Sequence, residues 1–403
     1  MTVVKHAYRQ LLLGMCALLI VMAIGRFVYT PMMPFMQHGT NMTNQQASLL
    51  ASVNYLGYLI GAMIPMWYVF KSKVTDIKIY LIINIVTTIA TGLTDDYIIW
   101  NILRLISGIT SGTVFVLASN VVLEALKLAR KGSISGFLYS AVGIGLFLSS
   151  IFVLLFTNTK TWSLTWVILG VISLALGLCV VLFMKENPVI QQNNTRKSSG
   201  HEQQSESIKT PTTTLNKKFI GFYYIAYFCE GAGYIVTGTF LVSIVKSIPE
   251  LSNYAALSWM FVGLGAIPST VVWSIIAEKY GFNKAIYSAF VLQIIGVICP
   301  VISHHSLSLI ISALLFGGTF LGLTTLFMSQ GQTLMYQTTS KTNLVATLTI
   351  VYSIGQMIAP SIAGVLIGEG NNYNAALIFA TAVLLIGLFC SIISFKIKKR
   401  GEI

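Results

Sequence analysis

Long apolar stretches recur along the chain, each close to the 20 or so residues that a helix needs to cross the roughly 30 Å hydrocarbon layer of a bilayer. They fall at 11–36, 47–69, 78–94, 98–122, 134–156, 163–184, 219–245, 254–277, 285–302, 306–328, 344–367 and 374–395. The pattern predicts an all-α polytopic membrane protein with twelve spans. Residues 185–217 interrupt it with a Ser/Thr/Gln-rich stretch almost free of large apolar residues, which reads as a disordered linker. Six spans precede it (1–184) and six follow it (218–403). Lys5 and Arg9 precede the first apolar run, as in a signal peptide, but no small-residue cleavage pattern follows, so the run reads as a retained span.

The two sets of six echo each other with the same polarity, as a parallel repeat requires. Gly25, Arg26 and Tyr29 align with Glu230, Gly231 and Tyr234 at an offset near 205. Ser52 and Gly57 align with Ser258 and Gly263, Gly108 and Gly112 with Gly318 and Gly322, and Tyr139 and Ser140 with Tyr352 and Ser353, the offset drifting to about 213. The glycine pairs have the small-xxx-small spacing of close helix contact.

Composition sharpens the class. Of 403 residues, 55% are apolar and 9% charged, with a mean hydropathy of +0.79, more apolar surface than one soluble core can hide. Yet Lys and Arg outnumber Asp and Glu by 25 to 12, a basicity that in a soluble protein would suggest nucleic acid. With the N-terminus inside, 21 of the 25 basic residues fall on the cytoplasmic side, where positive flanks are retained. The charge is therefore an orientation signal, and nucleic acid drops out as a partner. Both termini are expected in the cytoplasm of a cell-membrane protein whose surroundings are the lipid bilayer. The five cysteines lie in apolar stretches without metal-ligand spacing, and neither metal nor cofactor is expected. Trp67, Trp100, Trp162, Trp166 and Trp273 fall near span ends and read as interfacial anchors.

Three ionisable residues lie inside spans: Arg26, Arg104 and Glu230. An ionised side chain facing hydrocarbon costs at least ~2.5–3.5 kcal/mol, so each must face protein or water. At about 1.5 Å rise per residue, Arg26 and Glu230 sit about 16 Å and 18 Å from their span ends, near the midplane. Arg104 lies shallower, where it can clamp an anionic group of a substrate or hold helix carbonyls. Tyr29, Asn54, Tyr55, Tyr58, Tyr139, Tyr234, Thr237, Tyr352 and Gln356 could supply the few convergent polar contacts of a small-molecule site. Each also reads as ordinary interhelical packing, with buried amides such as Asn54 and Gln356 needing partners in either reading.

Several motifs resemble the major facilitator superfamily. Ser274 to Lys284, with Glu278, Lys279, Gly281 and Lys284, is similar to the family's GxxxD(R/K)xGRR loop between spans 8 and 9; the corresponding Lys71-Ser72-Lys73-Val74 is degenerate. Arg104 to Gly108 resembles the RxxxG pattern of span 4 in proton-linked members, whereas span 5 lacks the GPxxGG core of drug/proton antiporters. Gly25 to Pro34, Ala51 to Gly61, Glu230 to Tyr234 and Thr239 to Leu241 resemble the YbfB/YjiJ-type branch. The resemblance implies two pseudo-symmetric six-helix bundles, a gating role for the Glu278 loop, and a central cavity lined by spans 1, 4, 7 and 10. Arg26 and Glu230 would then meet across it, either as a fixed ion pair or as a proton-coupling site. In the second reading burial favours the neutral carboxyl, a nearby guanidinium the charged one, and alternating access switches between them.

No nucleotide-binding or hydrolase motif is present, which speaks against a pump driven by ATP and against an enzyme. The expected function is secondary transport of a small organic solute, coupled to protons and directed outward, by a monomer. Uptake of a small metabolite and a non-transporting membrane receptor or sensor are the alternatives.

Overall fold

A computed structural model describes residues 3–158, 160–187, 216–337 and 344–400. Most of the expected linker, residues 188–215, lies outside them. Among the described residues are twelve helices of membrane-spanning length and apolarity. The first six are α1 (Val3–Thr40), α2 (Asn44–Trp67), α3 (Lys73–Thr91), α4 (Tyr97–Leu128), α5 (Gly136–Phe156) and α6 (Trp162–Phe183). The second six are α7 (Lys217–Lys246), α8 (Ala255–Tyr280), α9 (Phe282–Ile302), α10 (Ser306–Gln337), α11 (Leu344–Ile367) and α12 (Tyr373–Arg400). Lipid offers no partner for backbone N–H and C=O groups, so apolar stretches of this length become helices that satisfy themselves.

Several helices outrun their apolar windows. A helix stops where a cap or a turn stops it, not where hydrophobicity ends. Thr43 and Gln46 form a capping box at α2, and the side chains of Ser72, Asp96 and Asn216 accept first-turn N–H bonds of α3, α4 and α7.

The helices form two bundles of six with repeated packing. In the first, α4 packs on α1, α2 and α3, and α6 on α3; in the second, α10 packs on α8 and α9, and α12 on α7 and α9. The bundles meet where α2 crosses α11, where α5 crosses α8, and where the end of α1 remote from the termini lies against α7. Two faces can thus be distinguished: the terminal face, which carries both chain ends, and the far face.

Close crossings depend on glycine. In the first bundle a Cβ on Gly57 or Gly61 would lie 2.3 or 1.9 Å from the Leu105 or Ile109 carbonyl oxygen of α4, and one on Gly108 or Gly112 would lie 2.1 or 2.3 Å from α2 carbonyls. In the second bundle the equivalent contact uses Gly265 and Gly317, whose Cβ atoms would meet the Leu314 and Val262 oxygens at 2.5 and 2.0 Å. The aligned Gly263 instead touches α5 of the other bundle, and Gly318 has only a distant neighbour at 3.9 Å. The sequence alignment of the halves is therefore one to two residues out of register here, because sequence similarity between apolar helices is weaker than the steric demand of the crossing.

The tryptophans also differ from expectation. Only Trp67 is exposed at a helix end, while Trp100, Trp162, Trp166 and Trp273 are buried inside the protein. Trp100 donates its indole N–H to the Thr91 carbonyl at 3.1 Å and Trp273 donates to Gly318 at 2.7 Å, so the protein itself supplies the polar partner that an interface would have supplied.

Gly61→Val should push α2 from α4 and lower thermal stability in detergent by at least the ~1–3 kcal/mol typical of overpacking. Gly132→Ala, whose Cβ meets nothing within 4 Å, should leave the melting curve unchanged.

Candidate functional site

The middle of α1 is not α-helical. Leu19–Phe27 is a π-helical stretch, closed by the Val28 N–H on the Ala23 carbonyl at 2.8 Å, a wider turn of the kind often found at functional sites. Its carbonyls are held by α4. Ser111 donates to Val21 at 2.8 Å, Ser107 donates to Gly25 at 2.9 Å, and Arg104 Nη1 donates to Gly25 at 3.4 Å. Arg104 Nε reaches the Leu50 carbonyl of α2 at 3.5 Å, and its guanidinium lies 4.4 Å from the centre of the Tyr29 ring. Tyr29 in turn donates to the Ala47 carbonyl, and Asn54 donates to the Arg104 carbonyl, each at 2.9 Å. Of the two roles open to Arg104, this geometry is that of a brace joining α1, α2 and α4.

Arg26 is different. It is 3% exposed, and its guanidinium lies 4.0, 4.8 and 5.1 Å from the ring centres of Tyr58, Tyr55 and Phe27. Aromatic faces attract a cation, but they accept few of its hydrogen bonds. Nε and Nη2 have no hydrogen-bond partner, and the sole ion pair within 4.0 Å among the described residues is Lys73 with Glu124. Phe27 meets the second bundle edge-on at Phe320, 6.2 Å between centroids, so this cation stands at the boundary between bundles.

Across that boundary the second bundle presents aromatic rings. Tyr234 stacks on Phe320 (5.6 Å), Phe316 (6.3 Å) and Tyr352 (5.8 Å), and Tyr227 continues the stack on Tyr352 (4.6 Å). Gln356 donates to the Tyr234 hydroxyl, and Tyr352 and Thr324 share a hydrogen bond at 3.1 Å. Thr237 is fully buried with its hydroxyl unpartnered. Tyr139 packs on Phe115 at 5.8 Å, which in turn packs on Tyr58 at 6.2 Å.

Glu230 does not meet Arg26. It is fully buried within the second bundle, beside the Gln293 amide of α9 but outside hydrogen-bond geometry, and neither carboxyl oxygen has a partner. The pairing expected from the sequence placed both residues on the cavity side, but Glu230 lies on the side of α7 that looks into its own bundle. The repeat explains the surroundings. Gly25, which aligns with Glu230, packs directly under Asn84 of α3, the counterpart of Gln293. The amide N–H groups of Asn84 are taken by α4, donating to Thr110 at 2.8 Å and Ser111 at 3.1 Å. With Gly108 matched to Gly317, the counterparts of Ser107 and Ser111 in α10 are Phe316 and Phe320. Two of the three hydroxyls that accept from the Asn84 amide in one bundle are thus rings in the other, while Thr110 keeps a hydroxyl counterpart in Thr319, and Gln293 makes no hydrogen bond there.

Both faces add residues that sequence reasoning missed. On the far face Asn44 donates to the Gly368 carbonyl (2.9 Å) and to Asn371 Oδ1 (2.8 Å) in the other bundle, Ser52 bonds Ser361 at 2.8 Å, and Thr30 donates to the Gly238 carbonyl at 2.6 Å. On the terminal face Glu278, Lys279 and Lys284 are exposed without an ion pair among the described residues, while Gly281 turns the chain at φ 87°. The charge network sits instead on the loop whose sequence is degenerate: Lys73 pairs with Glu124 at 2.5 Å, Asp76 accepts from the Phe70 N–H at 2.9 Å, and Glu186 accepts from the Val74 N–H at 2.8 Å. A signal existed for Asn84 and Gln293, each an amide within an otherwise apolar span; none existed for the latch at Asn44, which is polar in a polar loop.

Comparison with known proteins gives the family. Residues 18–392 match the model of the uncharacterised MFS-type transporter YbfB. The probable sulfoacetate transporter SauU of Cupriavidus necator is 23% identical over 268 residues, an alignment that spans 62% of this chain and 62% of that protein. The crystal structure of a point mutant of the nucleoside transporter NupG superposes with a TM-score of 0.69 at 13% identity, covering 96% of this chain and all of that one. A bacterial homologue of the human lysosomal transporter Spinster, crystallised inward-facing and unoccupied, gives 0.69 at 14% identity, covering 96% and 97%.

The two arginines should separate in a melting experiment. Arg104→Met removes a brace and should lower thermal stability, whereas Arg26→Met removes an unpaired buried charge and should raise it by ~1 kcal/mol or more. Equal losses in both variants would refute the distinction.

Proposed function

The chain belongs to the YbfB-type family of major facilitator transporters, and from that premise we propose that it carries a small organic anion across the cytoplasmic membrane by alternating access. The terminal face is cytoplasmic in this reading, as the distribution of Lys and Arg favours. The observation that carries the substrate class is Arg26: a guanidinium at the boundary between bundles, wrapped by aromatic faces, with no carboxylate within 4.0 Å. An ion buried without a counter-charge costs several kcal/mol, and a bound anion removes that penalty while accepting the free N–H groups. The relative described as a probable sulfoacetate transporter supports the same class, since sulfoacetate carries a carboxylate and a sulfonate.

Glu230 is the proton carrier in this reading. An ionised carboxyl with no donor and no cation beside it is costly, and a bound proton relieves that cost. Coupling bears on direction. An inside-negative potential drives an anion outward by about 2.3 kcal/mol per charge at 100 mV, so export needs no proton, whereas uptake needs at least one proton per negative charge to avoid working against the potential. Proton coupling through Glu230 therefore goes with uptake. Export, expected from the branch resemblance, is the second reading; the position of Glu230, turned from Arg26 toward Gln293, favours it by allowing a purely structural carboxyl.

Reconstituted vesicles test both with sulfoacetate and a panel of small carboxylates, sulfonates and neutral analogues. Arg26→Gln should lower anion transport about 10- to 100-fold, the ~1.5–3 kcal/mol of hydrogen bonds to a charged group. Preference for neutral analogues in the parent protein would overturn the substrate class. Glu230→Gln should abolish accumulation driven by an imposed pH gradient while leaving exchange intact; full, still pH-driven accumulation would assign Glu230 to structure and the proton to another group.

A further inference from the structure

Above the Asn44 latch, on the far face, lies a cleft of about 690 Å³ between the bundles, within the size range of small-molecule sites. Its walls come from the far ends of α1 and α2 on one side and of α7, α11 and α12 on the other, and they carry the side-chain amides of Gln37, Asn44, Gln45 and Asn371. Asn44 is also the residue that closes the bundles over the Arg26 region, so the cleft floor and the latch are the same group.

Two side chains point to a ligand. Ser243 lines the cleft, is 3% exposed, and has a hydroxyl beside the Tyr373 side chain but outside hydrogen-bond geometry. Lys246, one turn further along α7, is held over the cleft by one donated hydrogen bond, to the Ser252 carbonyl at 3.2 Å, and by the Phe35 ring at 5.1 Å. An ammonium has three donors, so two remain unused by the described residues. Among the described residues no carboxylate lies within 4.0 Å of it; Glu369, the acidic residue of the lining, is exposed.

We propose that this cleft is a second, external binding site for a small organic anion, with Lys246 taking its charge and the amides of Gln37, Gln45 and Asn371 together with Ser243 its remaining oxygens. The site loads or releases the solute at the far face while the Asn44 latch separates it from Arg26. It rests on the substrate class and orientation given above for the Arg26 site, but it is measured without transport.

The reporter is Gln45→Cys, exposed on the wall opposite Lys246. Intact protein mass, read against the parent chain, follows modification by membrane-impermeant methanethiosulfonates added from outside, one bearing a sulfonate and one a quaternary ammonium. The anionic reagent should react several-fold faster than the cationic one, and Lys246→Gln should bring the ratio to about one, as expected when a fixed charge sets the local potential. Sulfoacetate should slow modification about threefold or more through occupancy, an effect that Lys246→Gln removes and Arg26→Gln leaves in place. A ratio indifferent to Lys246, or protection that vanishes in Arg26→Gln, overturns the second site. Ser247→Cys, on the α7 wall, repeats the protection measurement if Gln45→Cys folds poorly. A protein that shows this protection but carries no anion in vesicles would refute the transport reading and leave the cleft standing; transport without protection would do the reverse.

Discussion

Within a bilayer a polar group without a partner is expensive, and almost every feature of this protein follows from how that expense is met. Backbone groups meet it by forming helices. Buried side chains divide into those the fold satisfies and those it leaves open. Ser107, Ser111 and the Asn84 amide N–H groups belong to the first group, while Arg104 is satisfied in part, with Nε and Nη1 on helix carbonyls and Nη2 unpartnered. Arg26, Glu230 and Gln293 belong to the second. Of the two arginines, Arg104 finds helix carbonyls for Nε and Nη1, whereas Arg26, at the boundary between bundles, is surrounded by aromatic rings.

The helices and their number are legible in the sequence because the apolar windows are long and the solvent is uniform. The matching of the halves is also legible, but only to within a residue or two, since the register is set by backbone contacts at Gly265 and Gly317 and not by the identity of the neighbouring side chains. Arg26, Arg104 and Glu230 announce themselves as charges in spans. Their partners do not. Nothing in the letters tells which side of α7 Glu230 faces, because a helix hydrophobic all round carries no stripe to orient it. The role of Asn84 depends on hydroxyls one helix away, and that of Asn44 on acceptors more than 300 residues along the chain. Such partnerships exist only after packing.

The repeat makes the division of labour visible. One bundle uses serine hydroxyls of α4 to hold the π-helical stretch of α1 and aim Arg26; the other has phenylalanines at the corresponding positions of α10, stacked on Tyr234. The same exchange that builds the aromatic wall removes two hydroxyl acceptors from beside Gln293. A polar, braced wall thus faces an apolar, stacked one.

The far-face closure consists of Asn44, Ser52 with Ser361, and Thr30 on the Gly238 carbonyl, all neutral groups. Neutral hydrogen bonds are not screened by dissolved ions as charge pairs are. These contacts between the bundles therefore hold with the same strength in dilute medium and in brine. If the far face is external, as proposed above, a change of ionic strength outside leaves this closure as it is.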